Sequence, residues 1–79
     1  MRGYKMSSVT YTVLFEQAAD GGWGAHVPDL PGIASGADTR EEIEVLVREA
    51  IAIYIQDLKE RGLPVPAPQI QAASIEVAA

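Results

Sequence analysis

From Val9 to Glu16 the residues alternate between two faces. A period of two, carried by β-branched and aromatic side chains, predicts a half-buried strand. The Asp20-Gly21-Gly22 run that follows predicts a turn, because these residues tolerate positive φ. The face that we expect to be buried carries Val9, Tyr11, Val13 and Phe15.

Two shorter strands are predicted after this turn. Residues Trp23–Val27 are typical of the returning strand of a hairpin, and Ile33–Ser35 of a third strand that ends at Gly36-Ala37-Asp38. Between them, Pro28–Gly32 holds two prolines and a glycine, which cannot continue a central ladder. We therefore expect a rigid loop there.

A helical period follows and predicts one long helix over Arg40–Arg61. Thr39 and Glu42 form a capping box, in which the Thr39 hydroxyl accepts from the Glu42 amide and the Glu42 side chain reaches back to the Thr39 amide. Gly62 is expected to end the helix, and Pro64 blocks its continuation. The apolar positions, three and four apart, are Ile43, Leu46, Val47, Ala50, Ile51, Tyr54, Ile55 and Leu58.

Three more apolar residues, Val45, Ala52 and Ile53, widen this stripe beyond what one sheet face can cover. Either part of the helix contacts a second subunit, or these are scattered exposed apolar residues of the ordinary kind. The sequence leaves both explanations open.

The elements follow the order β-β-β-α-β, with Ser74–Val77 as the fourth strand. This order predicts a two-layer α+β fold, in which a three-stranded antiparallel meander has one long helix packed on one face. We expect a single domain over 1–79. Its parts are an N-terminal tail (1–8), the sheet and helix (9–62), a proline-rich connector (63–72) and a last strand (73–78).

A chain of 79 residues has a thin core, and it contains no cysteine to staple that core. A domain of this size buries only about 60% of the surface of its unfolded chain. The thin core, the wide helical stripe and the unpaired sheet edges predict self-association into a dimer or tetramer. No apolar run approaches a membrane span and no leader pattern is present, so we expect a cytoplasmic location.

The formal net charge of -5 limits the possible partners. Nucleic acids and anionic membranes attract basic proteins, so neither is an expected partner. A basic protein partner is favoured, because opposite fields steer association. General acidity of cytoplasmic proteins is the simpler explanation for the same charge.

The sequence offers little catalytic chemistry, and we predict no catalytic, cofactor-binding or metal-binding residues. His26 is the sole histidine, so no histidine pair can hold a metal. The alternative of a residual metal-dependent nuclease would need carboxylates such as Glu16, Asp29 and Asp38 to converge. Trp23 is either an interface residue or, more simply, part of the core.

Four segments together resemble the HicB-like antitoxin family. They are Tyr11–Val13, Asp20–Gly32 (DGGWGAHVPDLPG), Gly36–Glu42 (GADTREE) and Gly62–Pro68 (GLPVPAP). The resemblance covers about Thr10 to Pro68. One local departure is Ala37, which separates Gly36 from the Asp-Thr pair that directly follows the glycine in the family pattern.

The resemblance implies a partial ribonuclease-H-like fold without catalytic residues, and a role in neutralising a small basic HicA-type toxin that cleaves mRNA. Family members often carry a C-terminal DNA-binding segment, which we do not expect here. The implied partner-binding residues are Trp23, Asp29, Leu30, Glu41 and Glu42. The alternative function is an orphan homo-oligomeric scaffold or a subunit of another complex.

Overall fold

The computed structural model describes residues 8–79, so all but the last residue of the predicted N-terminal tail lies outside the described part. Three strands precede one helix, as predicted, and the fold is α+β. The elements are β1 (Leu14–Gln17), β2 (Trp23–His26), β3 (Ala34–Ala37) and α1 (Arg40–Glu60).

The sheet is an antiparallel meander in the order β1-β2-β3. The ladder between β1 and β2 ends where Leu14 pairs with His26, five residues later than the predicted strand start at Val9. Pro28, which would face Thr12, lacks the amide needed to continue this ladder. The predicted end of β3 at Ser35 is also wrong, because Gly36 and Ala37 complete the pairing with β2.

The core lies between the sheet and α1, and the loop after β2 contributes to it directly. Leu30 is completely buried, and its amide donates to the Val27 carbonyl at 3.0 Å. Gly32 adopts φ +97, which brings the chain back towards β3. The predicted rigid loop is therefore also a core element. The buried hydrophobic residues are Ala25, Val27, Leu30, Ile33, Ile43 and Val47.

Both ends of α1 are capped by local sequence signals. The Thr39 hydroxyl accepts from the Glu42 amide at 3.1 Å, as predicted. The Glu42 carboxylate meets the Thr39 hydroxyl at 3.1 Å rather than the Thr39 amide. At the other end Gly62 has φ +69, and the Leu63 amide donates to the Leu58 carbonyl at 2.8 Å. This is a Schellman C-cap, which confirms the predicted helix end.

The predicted fourth strand is not formed, because residues 63–79 contain no strand or helix. Ile75 and Val77, which were expected to share a buried face, are 80% and 75% exposed. The preceding residues are fixed by three side chains, since Tyr11 donates to the Pro66 carbonyl, Thr12 donates to the Ile70 carbonyl and Asp29 accepts from two amides. We call the exposed remainder, residues 71–79, the C-terminal arm.

Candidate functional site

The first two turns of α1 present an exposed surface that is both acidic and apolar. Glu41, Glu42, Val45 and Leu46 line an open depression of about 350 Å³. Val45 is 55% exposed and Leu46 41% exposed, although Leu46 belongs to the predicted buried stripe. We call these four residues the acidic helix face. A charged rim beside exposed aliphatic groups is suited to binding a protein with complementary charge.

The negative charge of this region is reinforced by its place in the fold. β3 leads directly into α1 through Asp38 and Thr39, so the helix begins at the end of the sheet that carries the β1–β2 turn. Asp20 lies in that turn, where its carboxylate accepts from the Gly22 amide at 2.9 Å. The nearest cation, Arg40, is paired with Glu44 at 3.0 Å. Nearby cations therefore offset little of the negative charge of the acidic helix face.

Trp23 lies at the same end of the sheet, where it pairs with Gln17 on one side and Ala37 on the other. Its side chain is half-buried and packs against the hydrophobic core. The structure therefore gives Trp23 a packing role, while leaving part of the indole exposed near the start of α1.

Asp29 and Leu30 lie at the opposite end of the sheet, in the loop that follows β2. Leu30 is 0% exposed, so it offers no side-chain surface to a partner in this fold. Asp29 Oδ2 accepts from the amides of Gln69 and Ile70, each at 3.1 Å, and thereby anchors the chain before the C-terminal arm. The five predicted partner-binding residues are thus divided into two groups at opposite ends of the sheet.

The carboxylates considered for metal-dependent chemistry are not assembled into a site. Among residues 8–79, no group of three or more His, Asp or Glu side chains is placed to hold a metal ion. His26 is exposed, on the sheet face opposite α1. Burial, with smaller contributions from Asp29 and Tyr54, raises the pKa of Tyr11 above its ordinary value. No helix in the described part of the chain is long and apolar enough to span a membrane.

A second surface lies between α1 and the edge of the sheet, and the sequence pattern did not predict it. The backbone of α1 lies close to β2 and β3 but not to β1, which leaves a groove of about 580 Å³ along residues 9–15. We call it the β1 groove. Its walls include Val13 and Phe15 from the strand side, Val47, Ile51 and Ile55 from the helix, and the side chains of Arg40 and Arg48.

The sequence matches a family model described as "HicB_like antitoxin of bacterial toxin-antitoxin system" over residues 11–77. It is also 46% identical over 56 residues to UPF0150 protein ssr1765 of Synechocystis sp., covering 71% of each chain. UPF0150 protein Ta0767 of Thermoplasma acidophilum is 36% identical over 56 residues, covering 71% of this chain and 81% of its own. No solved structure gives a significant match.

Proposed function

The chain belongs to the HicB-like antitoxin family, and on that premise we propose that it binds and neutralises a small basic HicA-type toxin that cleaves mRNA. The match over residues 11–77 carries the proposal, because it includes the sheet, the helix and the segment that follows them. The proposed role is non-enzymatic: the chain covers the toxin surface that would contact RNA. The proposed place of action is the cytoplasm, where mRNA is the target of such a toxin.

The charge distribution supports a basic protein as the partner. In residues 8–79 all basic side chains lie on α1 or at its C-cap. Arg40 and Arg48 both approach Glu44, at 3.0 and 3.8 Å, and Arg61 approaches Asp57 at 3.2 Å. These exposed pairs add little stability, but they place the cations beside carboxylates of their own helix. Long-range attraction towards a basic partner is therefore expected to dominate the encounter.

The acidic helix face is the surface that we assign to the toxin. Glu41 and Glu42 supply negative charge, while Val45 and Leu46 supply exposed apolar area in the same depression. The charged and the apolar residues are expected to affect different steps of binding. Charges at the rim act mainly on the association rate, and buried apolar contacts act mainly on the dissociation rate. Trp23, at the same end of the sheet, is assigned to the edge of this surface.

Co-expression with a HicA-type toxin encoded next to the chain's own gene tests the function. We expect the chain to relieve the growth arrest that the toxin causes, and to co-purify with it. Growth arrest that persists although the chain is expressed and folded would contradict the antitoxin role.

Glu41→Lys tests the assigned surface, and Glu60→Lys is the matched control at the other end of α1. The first substitution is expected to slow association with the purified toxin about tenfold at low salt, with the difference shrinking as salt rises. The control should change the rate much less. Equal effects of the two variants would show that net charge, rather than the acidic helix face, governs binding. Circular dichroism checks that both variants remain helical.

A homo-oligomeric scaffold is the second candidate function, and one observation favours it. The β1 groove and the C-terminal arm are two apolar surfaces of the same chain, and none of residues 8–79 covers either of them. Failure of toxin binding together with stable self-association would favour this candidate.

A further inference from the structure

We propose that the C-terminal arm of one copy binds in the β1 groove of a second copy and adds a strand to the free edge of β1. Reciprocal exchange of the two arms produces a two-fold symmetric dimer. The inference concerns a surface separate from the acidic helix face and does not depend on the identity of a toxin.

The receiving edge is unpaired. β1 occupies one edge of the sheet, and its only partner among residues 8–79 is β2. Residues 8–13 continue the chain before β1 without belonging to any strand. A free strand edge presents backbone donors and acceptors that readily pair with another chain.

The groove beside this edge is apolar, and its volume of about 580 Å³ leaves room for side chains from an added strand. The Cα atoms of α1 do not come within 8 Å of those of β1, whereas the helix packs closely on both β2 and β3. The partly buried Val13 and Phe15 contact the core from one side only. An added strand would cover their remaining exposed surface.

The arm has the pattern of the missing strand. Ile75 and Val77 alternate with Ser74 and Glu76, and both aliphatic side chains are at least 75% exposed. The nine residues reach about 30 Å when extended, which is enough to follow β1 and the residues 9–13 that precede it. The Cα radius of gyration is 15.6 Å, against about 12 Å for a compact chain of this length. The arm therefore projects from the domain.

The last anchored residue before the arm lies away from the chain's own groove. Tyr11, on the groove side, holds Pro66, but Thr12 donates to the Ile70 carbonyl at 2.8 Å, and in the extended chain its side chain points to the face opposite Tyr11 and Val13. The β1 groove lies on the Tyr11 and Val13 side. The arm of a second copy can approach that groove from outside.

The charged side chains of the groove do not select the occupant. Arg40 and Arg48 line it together with Glu44, whose carboxylate lies 3.0 and 3.8 Å from them and offsets their charge. The aliphatic side chains of Ile75 and Val77, rather than Glu76 on the other face of the arm, are therefore assigned to the groove.

Sedimentation of the intact chain at micromolar concentration tests the dimer. We expect about twice the monomer mass of 8.4 kDa. The double variant Ile75→Asp/Val77→Asp places charges in the groove and is expected to weaken dimerisation at least 100-fold. Ser74→Asp is the matched control, because it adds a charge to the other face of the same arm and should leave the mass unchanged. A dimer that survives the double variant overturns the proposal.

Thiol trapping identifies whose arm occupies the groove. The chain has no cysteine, so Val13→Cys/Val77→Cys introduces the only two thiols. Mild oxidation is expected to give a covalent dimer whose disulfide-linked peptides join positions 13 and 77. A monomer with that disulfide would place the arm in its own groove, and an absence of the disulfide would leave the groove free of the arm. Either result contradicts the proposal.

Discussion

The two long sides of α1 differ in how completely they are packed. On the side of β2, β3 and the loop after β2, the helix closes over a core that contains the completely buried Leu30 and Ile43. On the side of β1 the helix leaves a groove of about 580 Å³, and the strand residues remain only partly buried. One side is therefore a closed core, and the other is an open groove to which we assign a second copy of the chain.

The residues on the sheet face under α1 make different contacts on the two sides. β3 presents Ser35 and Ala37 beside Ala25 and Trp23 of β2, and the Trp23 side chain packs against the core. On the other side, Phe15 of β1 contacts α1 through the Arg40 guanidinium, which lies 3.5 Å from its ring centroid. α1 thus reaches β1 through a side chain at its N-terminal end, while its backbone lies close to β2 and β3.

The largest expected effect concerns the core between α1, β2, β3 and the loop after β2. Leu30→Ala should lower the free energy of unfolding by about 3 kcal/mol, because it opens a cavity around a side chain that is 0% exposed. Leu14→Ala is the matched control, since Leu14 is 39% exposed on the face away from α1 and should cost less than about 1 kcal/mol. Urea denaturation measures both. Similar losses would mean that the loop after β2 is not part of the core.

A smaller effect is expected at Asp29, which anchors the segment between α1 and the C-terminal arm. Asp29→Ala removes the acceptor of the Gln69 and Ile70 amides and should cost about 1 kcal/mol. It should also speed hydrogen exchange of those two amides well beyond any change in the core. Glu76→Ala is the control, because it removes the same charge from the exposed arm. If the two amides exchange at unchanged rates, the arm is anchored by other contacts.

The sequence was sufficient to predict the elements that are determined locally. The capping box at Thr39 and the positive-φ residue at Gly62 depend on residues close in sequence, and they predicted the two ends of α1 correctly. The alternation around Phe15 predicted that β1 exists, but it placed the start of the strand five residues too early. The resemblance to the HicB-like antitoxin family was confirmed by the family match over residues 11–77. Local signals of this kind act through backbone geometry, so they need no knowledge of tertiary packing.

The predictions that the structure did not bear out concern features that depend on tertiary contacts. Ile75 and Val77 have the alternating pattern of a strand, but the pattern does not determine which edge such a segment pairs with, and within residues 8–79 it pairs with none. The assignment of Asp29 and Leu30 to a partner-binding surface stays a prediction. In the fold, Asp29 accepts from the amides of Gln69 and Ile70, and Leu30 lies in the core. Only Glu41, Glu42 and part of Trp23 remain near one another at the surface.

The smallest expected effect appears only in alkaline solution and tests the contact between Tyr11 and the segment before the arm. The Tyr11 hydroxyl donates to the Pro66 carbonyl, and burial raises its pKa in the folded state. Because the folded pKa exceeds the unfolded value of about 10, the stabilisation is fully present below that pH and is lost as pH rises through the folded pKa.

The free energy of unfolding should therefore decline more steeply above pH of about 10 in the natural chain than in Tyr11→Phe, which cannot ionise there. Parallel urea titrations across this range measure the difference. Identical slopes would mean that Tyr11 ionises as freely as in the unfolded chain, and that the segment crossing from α1 to the arm does not shield it.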